Sequence, residues 1–275
     1  GKARMDGPVE RVHGVSAKLS ALHPKYLAVK EKRILEELYP LVLEQAKAAK
    51  AFDISYCLDA EESDRLVLSL KLLDKLARAP ELAGWNGLGL AVQAYQKRAR
   101  RVLEQLVELG RATDRRFMVR LVKGAYWDSE IKFSHQNGWP DFPVWTTKPA
   151  TDLNFLVCAR TMLKAPDAIY GQFATHNAHS LAAVRELAQQ AGVESYEFQR
   201  LHGMGEALYA ADAEINPDTP VRVYAPVGSH EDLLPYLVRR LLENGANTSF
   251  VHSFLDPEVP VEQVAGGPFE AAETI

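Results

Sequence analysis

Short apolar runs alternate along the chain with longer stretches in which apolar positions recur at helical spacing. The short runs predict buried strands, and the longer stretches predict amphipathic helices. Their alternation predicts parallel strands that are joined by right-handed helical crossovers. The pattern places seven strands at residues 15–19, 54–58, 88–93, 117–122, 169–174, 196–201 and 221–224, and six helices at residues 28–49, 63–77, 95–109, 151–163, 180–191 and 233–244.

The two faces of the predicted strands indicate the architecture. In residues 88–93 large apolar side chains alternate with small ones and the strand ends at Gln93, and residues 54–58 show the same alternation before Asp59. Large groups on one face suit packing against outer helices, whereas small groups that end in a polar residue suit a barrel interior that opens into a pocket. An open doubly wound sheet would be apolar on both faces. The sequence therefore predicts an α/β fold of the (β/α)8 TIM-barrel type.

Seven predicted strands are one fewer than a closed barrel of this type contains. The chain begins with a polar segment that shows no strand pattern, so the first βα unit is predicted to be lacking from this sequence. We expect a strand upstream of Gly1 to fill the gap beside the strands at 15–19 and 221–224. The predicted organisation is a polar N-terminal segment at 1–11, a barrel at 12–251 and a C-terminal tail at 252–275.

Composition narrows the range of functions. The 275 residues are 47% hydrophobic and 25% charged, and the net charge of −4 comes without a basic block, which argues against nucleic-acid binding. No apolar run reaches the roughly 18 residues that a membrane span requires. The two cysteines, Cys57 and Cys158, each fall in an apolar segment. We predict that both are reduced core residues of a cytoplasmic protein.

Charged and amide side chains occur at the ends of several predicted strands. Lys18 lies in the first strand and Asp59 follows the second, so we expect these two opposite charges to pair at the barrel mouth. The alternative is a lysine on an edge strand that reaches water. Gln93 and Arg120 end the next two strands. A neutral donor beside a fixed cation suits the polar edge of a flavin ring, because arginine stays charged at any working pH.

The turn after the strand at 117–122 is a candidate phosphate site. Lys123 lies beside the backbone amides around Gly124 and Ala125, and such a group can bind a pyrophosphate.

The segment FATHNAHS follows a later strand and contains two histidines, His176 and His179, three residues apart. The chain has no zinc signature and no third ligand placed by a motif, so we predict no metal site. We expect Thr175, His176 and Asn177 to donate hydrogen bonds to a cofactor instead.

The predicted C-terminal helix carries Tyr236, Arg240 and Glu243 on one face, with Arg239 beside them. One interpretation is a surface face of ion pairs. The other is that this face closes over the barrel mouth, where paired guanidinium groups clamp a carboxylate.

Together these segments resemble the proline dehydrogenase family, in the form found in bacterial proline utilisation A. The resemblance rests on VSAKLSALHP, LDAEESDR, QAYQKR, RLVKGAYWDSEIK, FATHNAH, EFQRLHGMGE, YAPVG and YLVRRLLENGANTSF, and it runs from about Val12 to Val251. It implies an FAD-dependent barrel enzyme that oxidises L-proline to Δ1-pyrroline-5-carboxylate by hydride transfer to flavin N5. It also implies binding of cyclic carboxylate analogues, a quinone acceptor, and a cytoplasmic full-length protein that contacts the inner membrane peripherally. The family's first strand, with its acidic residue, and its DNA-binding and aldehyde dehydrogenase regions have no counterpart here.

The resemblance also implies a role for individual residues. It implies that Lys18, Arg239 and Arg240 hold the proline carboxylate. It implies that Asp59, Leu201, Tyr224 and Tyr236 shape the substrate pocket. It places around FAD the residues Gln93, Arg120, Val122, Lys123, Gly124, Ala125, Trp127, Thr146, Lys148, Thr175, His176, Asn177, Gln199 and Glu243, and of these Arg120 would stabilise the reduced ring.

Two other functions stay open on the sequence alone. The first is a barrel lyase or aldolase in which Lys18 forms a Schiff base, and borohydride trapping with a carbonyl substrate would support it. The second is a non-catalytic fragment, because an open barrel need not bind a cofactor. A bound yellow chromophore would favour the flavoenzyme over both.

Overall fold

Seven parallel strands form the centre of the fold in the computed structural model, which describes residues 7–229, 231, 233–234, 236–238 and 267–273. The strands are β1 (Gly14–Ala17), β2 (Ser55–Leu58), β3 (Leu88–Gln93), β4 (Phe117–Val122), β5 (Ile169–Ala174), β6 (Tyr196–Leu201) and β7 (Val221–Tyr224). Each strand pairs in parallel with the next one along the chain. The predicted barrel of seven strands is confirmed, and β3 to β7 have the predicted bounds.

The first strand is shorter than predicted. It ends at Ala17, so Lys18 does not lie in a strand but at the start of a short helix. The backbone of Asp59, just after β2, still donates to the carbonyl oxygen of Ala17 at 2.9 Å. The chain therefore leaves the sheet at Lys18, beside the point where the neighbouring strand β2 also ends.

Helices follow the strands, as the alternating pattern predicts. They are α1 (Leu19–Leu22), α2 (Glu31–Ala51), α3 (Leu66–Ala77), α4 (Ala99–Ala112), α5 (Trp127–Gln136), α6 (Lys148–Leu163), α7 (Ala178–Ala191), α8 (Glu206–Ile215) and α9 (Pro268–Glu273). Most of the predicted helix at 233–244 lies outside the described residues. No helix in the described part of the chain is long and apolar enough to cross a membrane.

The predicted division of the strand faces is confirmed. Leu90 and Val92 of β3 pack in one hydrophobic core with helix residues such as Leu72 and Leu103. The opposite face carries buried polar and charged side chains that lie outside this core, namely Ser55, Gln93, Arg120, Gln172, Glu197 and Gln199. The interior of the barrel is thus lined by groups that need partners, and these groups form the candidate site.

Both cysteines are buried and free. Burial raises the pKa of Cys57, and it raises the pKa of Cys158 to about 12. Both thiols are therefore protonated at neutral pH, as expected for core residues without a reactive role.

Candidate active site

Arg120 lies inside the barrel and pairs with Asp59. It is the fourth residue of β4, two residues before the strand ends, and it is 9% exposed. Its Nη2 donates to Asp59 Oδ1 at 2.5 Å and to Ser16 Oγ at 3.0 Å. The Tyr224 ring centre lies 5.6 Å from its guanidinium carbon. The predicted pair between Lys18 and Asp59 is therefore wrong, because the buried guanidinium has the greater need for a counter-charge.

The charge of Arg120 is permanent. Burial alone would lower the pKa of Arg120, but the neighbouring Cys57, Asp59 and Tyr224 and the hydrogen bond to Asp59 outweigh burial and raise it. A fixed cation in a site of low polarity can stabilise negative charge that develops on a group bound beside it, without reorganisation during the reaction.

Lys18 contacts a tyrosine that the sequence reasoning did not assign to the site. Its Nζ donates to the hydroxyl oxygen of Tyr126 at 2.5 Å and lies 5.1 Å from the centre of that ring. Tyr126 is the residue that precedes α5, so this contact links the chain after β1 to the chain after β4. The lysine is thereby oriented at the mouth of the barrel.

Gln93 organises the chain that follows β4. Its Nε2 donates to the carbonyl oxygen of Glu61 at 2.8 Å, and its Oε1 accepts from the amide of Ala125 at 3.2 Å. Gly124 adopts a φ of +144°, and a Cβ there would lie 2.4 Å from the ring of Tyr95, so this turn requires glycine. The amide of Ala125 is already used within the protein, and the pyrophosphate site around this turn stays a prediction.

Two lysines share one carboxylate near the start of α6. Both Lys123 and Lys148 bond to Asp152, the latter at 2.5 Å. Burial would raise the pKa of Asp152, but the two lysines outweigh burial and lower it. Burial and the charge of Lys123 lower the pKa of His179, so the imidazole is neutral at pH 7. The cluster carries an excess of one positive charge and suits an anionic group such as a phosphate.

The segment after β5 is held by its own hydrogen bonds. Thr175 Oγ1 accepts from the amide of Asn177 at 3.1 Å, and Asn177 Oδ1 accepts from the amide of Ser180 at 2.8 Å. Asn177 thus caps α7. His176 Nε2 accepts from the amide of Leu201 at 3.1 Å, which joins this segment to the end of β6. Contacts of these side chains with a cofactor stay a prediction.

A second buried ion pair lies on the inner face of β6. Glu197 is 1% exposed, and its carboxylate accepts from Arg222 of β7, from Gln172 of β5 and from Gln199 of its own strand. Arg222 also donates to the carbonyl oxygens of Glu10 and Val12, so it bridges the two edges of the sheet.

The carboxyl ends of parallel strands meet at one rim, which brings Val122, Leu201 and Tyr224 to the same end of the barrel. Val122, Leu201 and Tyr224 each end a strand, Trp127 and Lys148 each begin a helix, Thr146 lies in the exposed loop before α6, and Tyr236 is half-buried. Arg239, Arg240 and Glu243 lie outside the described residues, so the predicted carboxylate clamp stays a prediction.

Besides Tyr126, the sequence reasoning missed three residues at the site, and each of these has a spacing that could have revealed it. Ser16 lies two residues before Lys18, where strand alternation puts it on the inner face. Asp152 lies four residues after Lys148 on α6, which is the spacing of helical ion pairs. Glu197 lies two residues before Gln199 on β6 and therefore shares its inward face.

Comparison with known proteins identifies the family. The family model described as proline dehydrogenase matches residues 2–253. The chain belongs to the proline dehydrogenase family. It is 51% identical over its full length to the bifunctional protein PutA of Escherichia coli and 49% identical to that of Rhizobium meliloti, and it covers 21% and 22% of those proteins. The chain therefore spans about a fifth of the length of these relatives.

Solved structures agree with the family assignment. A mutant of proline utilization A from Bradyrhizobium japonicum matches with a TM-score of 0.94 and 51% identity, covering 98% of this chain and 28% of that one. Proline utilization A from Bdellovibrio bacteriovorus, inactivated by N-propargylglycine, matches with a TM-score of 0.88 and 31% identity over 94% of this chain and 27% of that one. The fold of the proline dehydrogenase family is thus shared across the described barrel.

Proposed function

We propose that this chain is a proline dehydrogenase that oxidises L-proline to Δ1-pyrroline-5-carboxylate with FAD. The observation that carries the proposal is the pair of the buried Arg120 with the half-buried Asp59, beside Tyr224 and inside a barrel of the proline dehydrogenase family. A barrel lyase would need Lys18 as a nucleophile, but its Nζ is bonded to Tyr126. No observation favours the non-catalytic alternative over the enzyme.

The described residues fit an FAD molecule. Lys123 and Lys148 form a cationic cluster at the start of α6, which suits a pyrophosphate. Arg120 offers a permanent cation in the barrel interior for the polar edge of the ring. Gln199 carries a buried carbonyl oxygen that has no donor among the described residues. We propose the other FAD neighbours as the family resemblance implies them, including Gln93 and Thr175.

We propose that proline binds at the mouth of the barrel, between Lys18 and the helix predicted at residues 233–244. Lys18 offers an ammonium group that Tyr126 orients, and Arg239 and Arg240 complete a clamp around the substrate carboxylate. Leu201 and Tyr224, at the ends of β6 and β7, form the wall of the pocket.

Bound FAD would supply the hydride acceptor for the ring carbon of proline that adjoins nitrogen. The protein holds the carboxylate so that this carbon faces the flavin, and such positioning is a large part of catalysis. Arg120 would stabilise negative charge on the flavin ring, and Asp59 holds Arg120 in place.

The electrons leave to a quinone in this proposal. We propose that the full-length protein is cytoplasmic. Because quinones are dissolved in membranes, it would contact the inner membrane peripherally. Cyclic carboxylate analogues of proline would compete at the same clamp.

The proposal is tested by incubating the purified protein with FAD, removing free FAD, and titrating a cyclic carboxylate analogue while the visible spectrum is recorded. We expect a yellow protein whose flavin spectrum changes on titration. Lys18→Met should weaken analogue binding about tenfold or more and leave FAD content unchanged, because a charge-assisted bond contributes about 1.5–3 kcal/mol. The exposed Lys47→Met serves as the matched control. A protein that stays colourless contradicts the proposal.

A further inference from the structure

Only one of the two polar atoms of the Gln199 side-chain amide has a hydrogen-bond partner within the described part of the protein. Gln199 is 2% exposed, and its Nε2 donates to Glu197 Oε1 at 2.7 Å. Its Oε1 is buried and meets no donor in the described part of the chain. Buried acceptors in native proteins are nearly always satisfied, so this oxygen marks a place where a donor from outside the described residues belongs.

The orientation of that amide is fixed by Glu197. An ionised carboxylate can only accept hydrogen bonds. Both of its oxygens accept from Arg222, at 2.7 Å from Nε and 2.9 Å from Nη2, and Gln172 Nε2 donates to the first oxygen at 2.8 Å. Gln199 must therefore turn its NH2 group towards Glu197. Because the two polar atoms of an amide lie on opposite sides of its carbon, the carbonyl oxygen is directed away from Glu197.

Arg222 is the cation that Glu197 contacts. Burial would lower the pKa of Arg222, but the hydrogen bonds and the charge of Glu197 outweigh burial and raise it. Arg222 is therefore a permanent cation beside a carboxylate that is 1% exposed. The hydrogen bonds to Glu197 thus come from Arg222, Gln172 and Gln199 together, and the NH2 group of Gln199 is one of these donors.

We propose that Glu197 is a positioning residue for the flavin, which it does not itself touch. It holds Gln199 so that the carbonyl oxygen, and not the NH2 group, meets a hydrogen-bond donor of the bound flavin. This inference rests on the proposed function, because it takes FAD as the occupant of the barrel. Glu197 lies two residues before Gln199 on the inner face of β6 and so acts from beneath it.

A purely structural role for Glu197 makes a different prediction. Arg222 joins Glu197 to the carbonyl oxygens of Val12 and Glu10, at 2.6 and 2.8 Å, and this bridge links β7 to the chain before β1. If that bridge were the whole role, loss of Glu197 would lower the thermal stability, and the orientation of Gln199 would not matter for FAD. The test therefore needs a measurement that responds to the orientation of the amide.

The test compares FAD dissociation constants, measured by quenching of flavin fluorescence. Glu197→Met removes the oxygen that accepts from Gln199, so nothing holds the NH2 group of Gln199 away from the flavin, and we expect FAD affinity to fall about tenfold or more. Tyr170→Phe is the matched control, since it removes a 3.3 Å bond to the same carboxylate without touching Gln199. We expect that control to bind FAD within about twofold of the wild type.

A double variant separates a positioning role of Glu197 from a role in protein stability. The double variant Glu197→Met with Gln199→Glu has no NH2 group at residue 199 and presents an accepting oxygen to the flavin in either orientation, so we expect most of the lost affinity to return. Unchanged affinity in Glu197→Met overturns the inference alone, as does a double variant that binds as weakly as the single one. If Glu197→Met does not fold, Gln199→Leu is measured, and wild-type FAD affinity there overturns the inference. A wild-type protein that binds no FAD overturns the proposed function and this inference together.

Discussion

The ion pair between Asp59 and Arg120 gives the sharpest test of the site, because the sequence and the structure assign Asp59 different partners. The perturbation is a double-mutant cycle of Asp59→Asn and Arg120→Met. The matched control is a cycle of Asp59→Asn and Lys18→Met, which tests the pairing that the sequence predicts. The two cycles share one substitution, so they differ only in the cation that is removed.

The structure sets the size of the coupling free energy that we expect in each cycle. A charge-assisted hydrogen bond contributes about 1.5–3 kcal/mol. The Arg120 side chain is 11% exposed, but that of Asp59 is 33% exposed, so water screens part of the attraction. We therefore expect a coupling free energy of about 1.5–2 kcal/mol for Asp59 with Arg120. For Asp59 with Lys18 we expect less than about 0.5 kcal/mol, because residues without a shared contact behave additively.

The assay is urea unfolding of the protein without FAD. With a slope of about 3 kcal/mol per M, a coupling of 1.5 kcal/mol corresponds to a shift of about 0.5 M in the midpoint, which is readily measured. Equal slopes among the variants would show that the native and unfolded states keep their compactness. The reasoning is refuted if the Arg120 cycle is additive within about 0.5 kcal/mol while the Lys18 cycle is not.

Three further outcomes follow from the structure. Arg222→Met should lower the free energy of unfolding by about 3–5 kcal/mol, since it leaves the buried Glu197 unpaired, and urea unfolding measures this. Because the pKa of Asp152 is lowered in the folded state, its ionised carboxylate stabilises the fold above about pH 4, and this contribution is lost as the pH falls through the folded pKa. In Asp152→Asn the melting temperature, measured as a function of pH, should therefore fall less steeply on acidification than in the wild type. Gly124→Ala should destabilise the fold by at least about 3 kcal/mol, compared with about 1 kcal/mol for Gly138→Ala, whose φ is also positive but whose Cβ would meet open space.

Much of the fold could be predicted because the alternation of strand faces is strong. In β3 and β4 every second residue belongs to the apolar core, so their bounds follow from the pattern alone. The helix α8 was not predicted, because Gly203 and Gly205, both with positive φ, indicate a turn and conceal the helix that begins at Glu206.

The contacts within the site were less predictable. Side chains at the ends of neighbouring strands can pair in several ways, and the order of residues along the chain does not show which pairs form. The sequence placed Lys18, Asp59 and Arg120 near the carboxyl ends of neighbouring strands, and in the structure Arg120 contacts Asp59 while Lys18 directly follows β1. It could not show that β1 ends one residue before Lys18, or that Arg120 lies deeper and has the stronger need for a carboxylate. The lysine pair on Asp152 depends on a contact between the loop after β4 and α6, which no local pattern predicts.

The central claim is that this barrel oxidises proline with FAD. The most direct measurement is an anaerobic titration of the FAD-loaded protein with L-proline, recorded by visible absorption, with the product identified by mass spectrometry. The account predicts that proline bleaches the flavin absorbance and yields a product two hydrogens lighter than proline. A flavin that binds yet stays oxidised in excess proline, with no such product, would contradict the account.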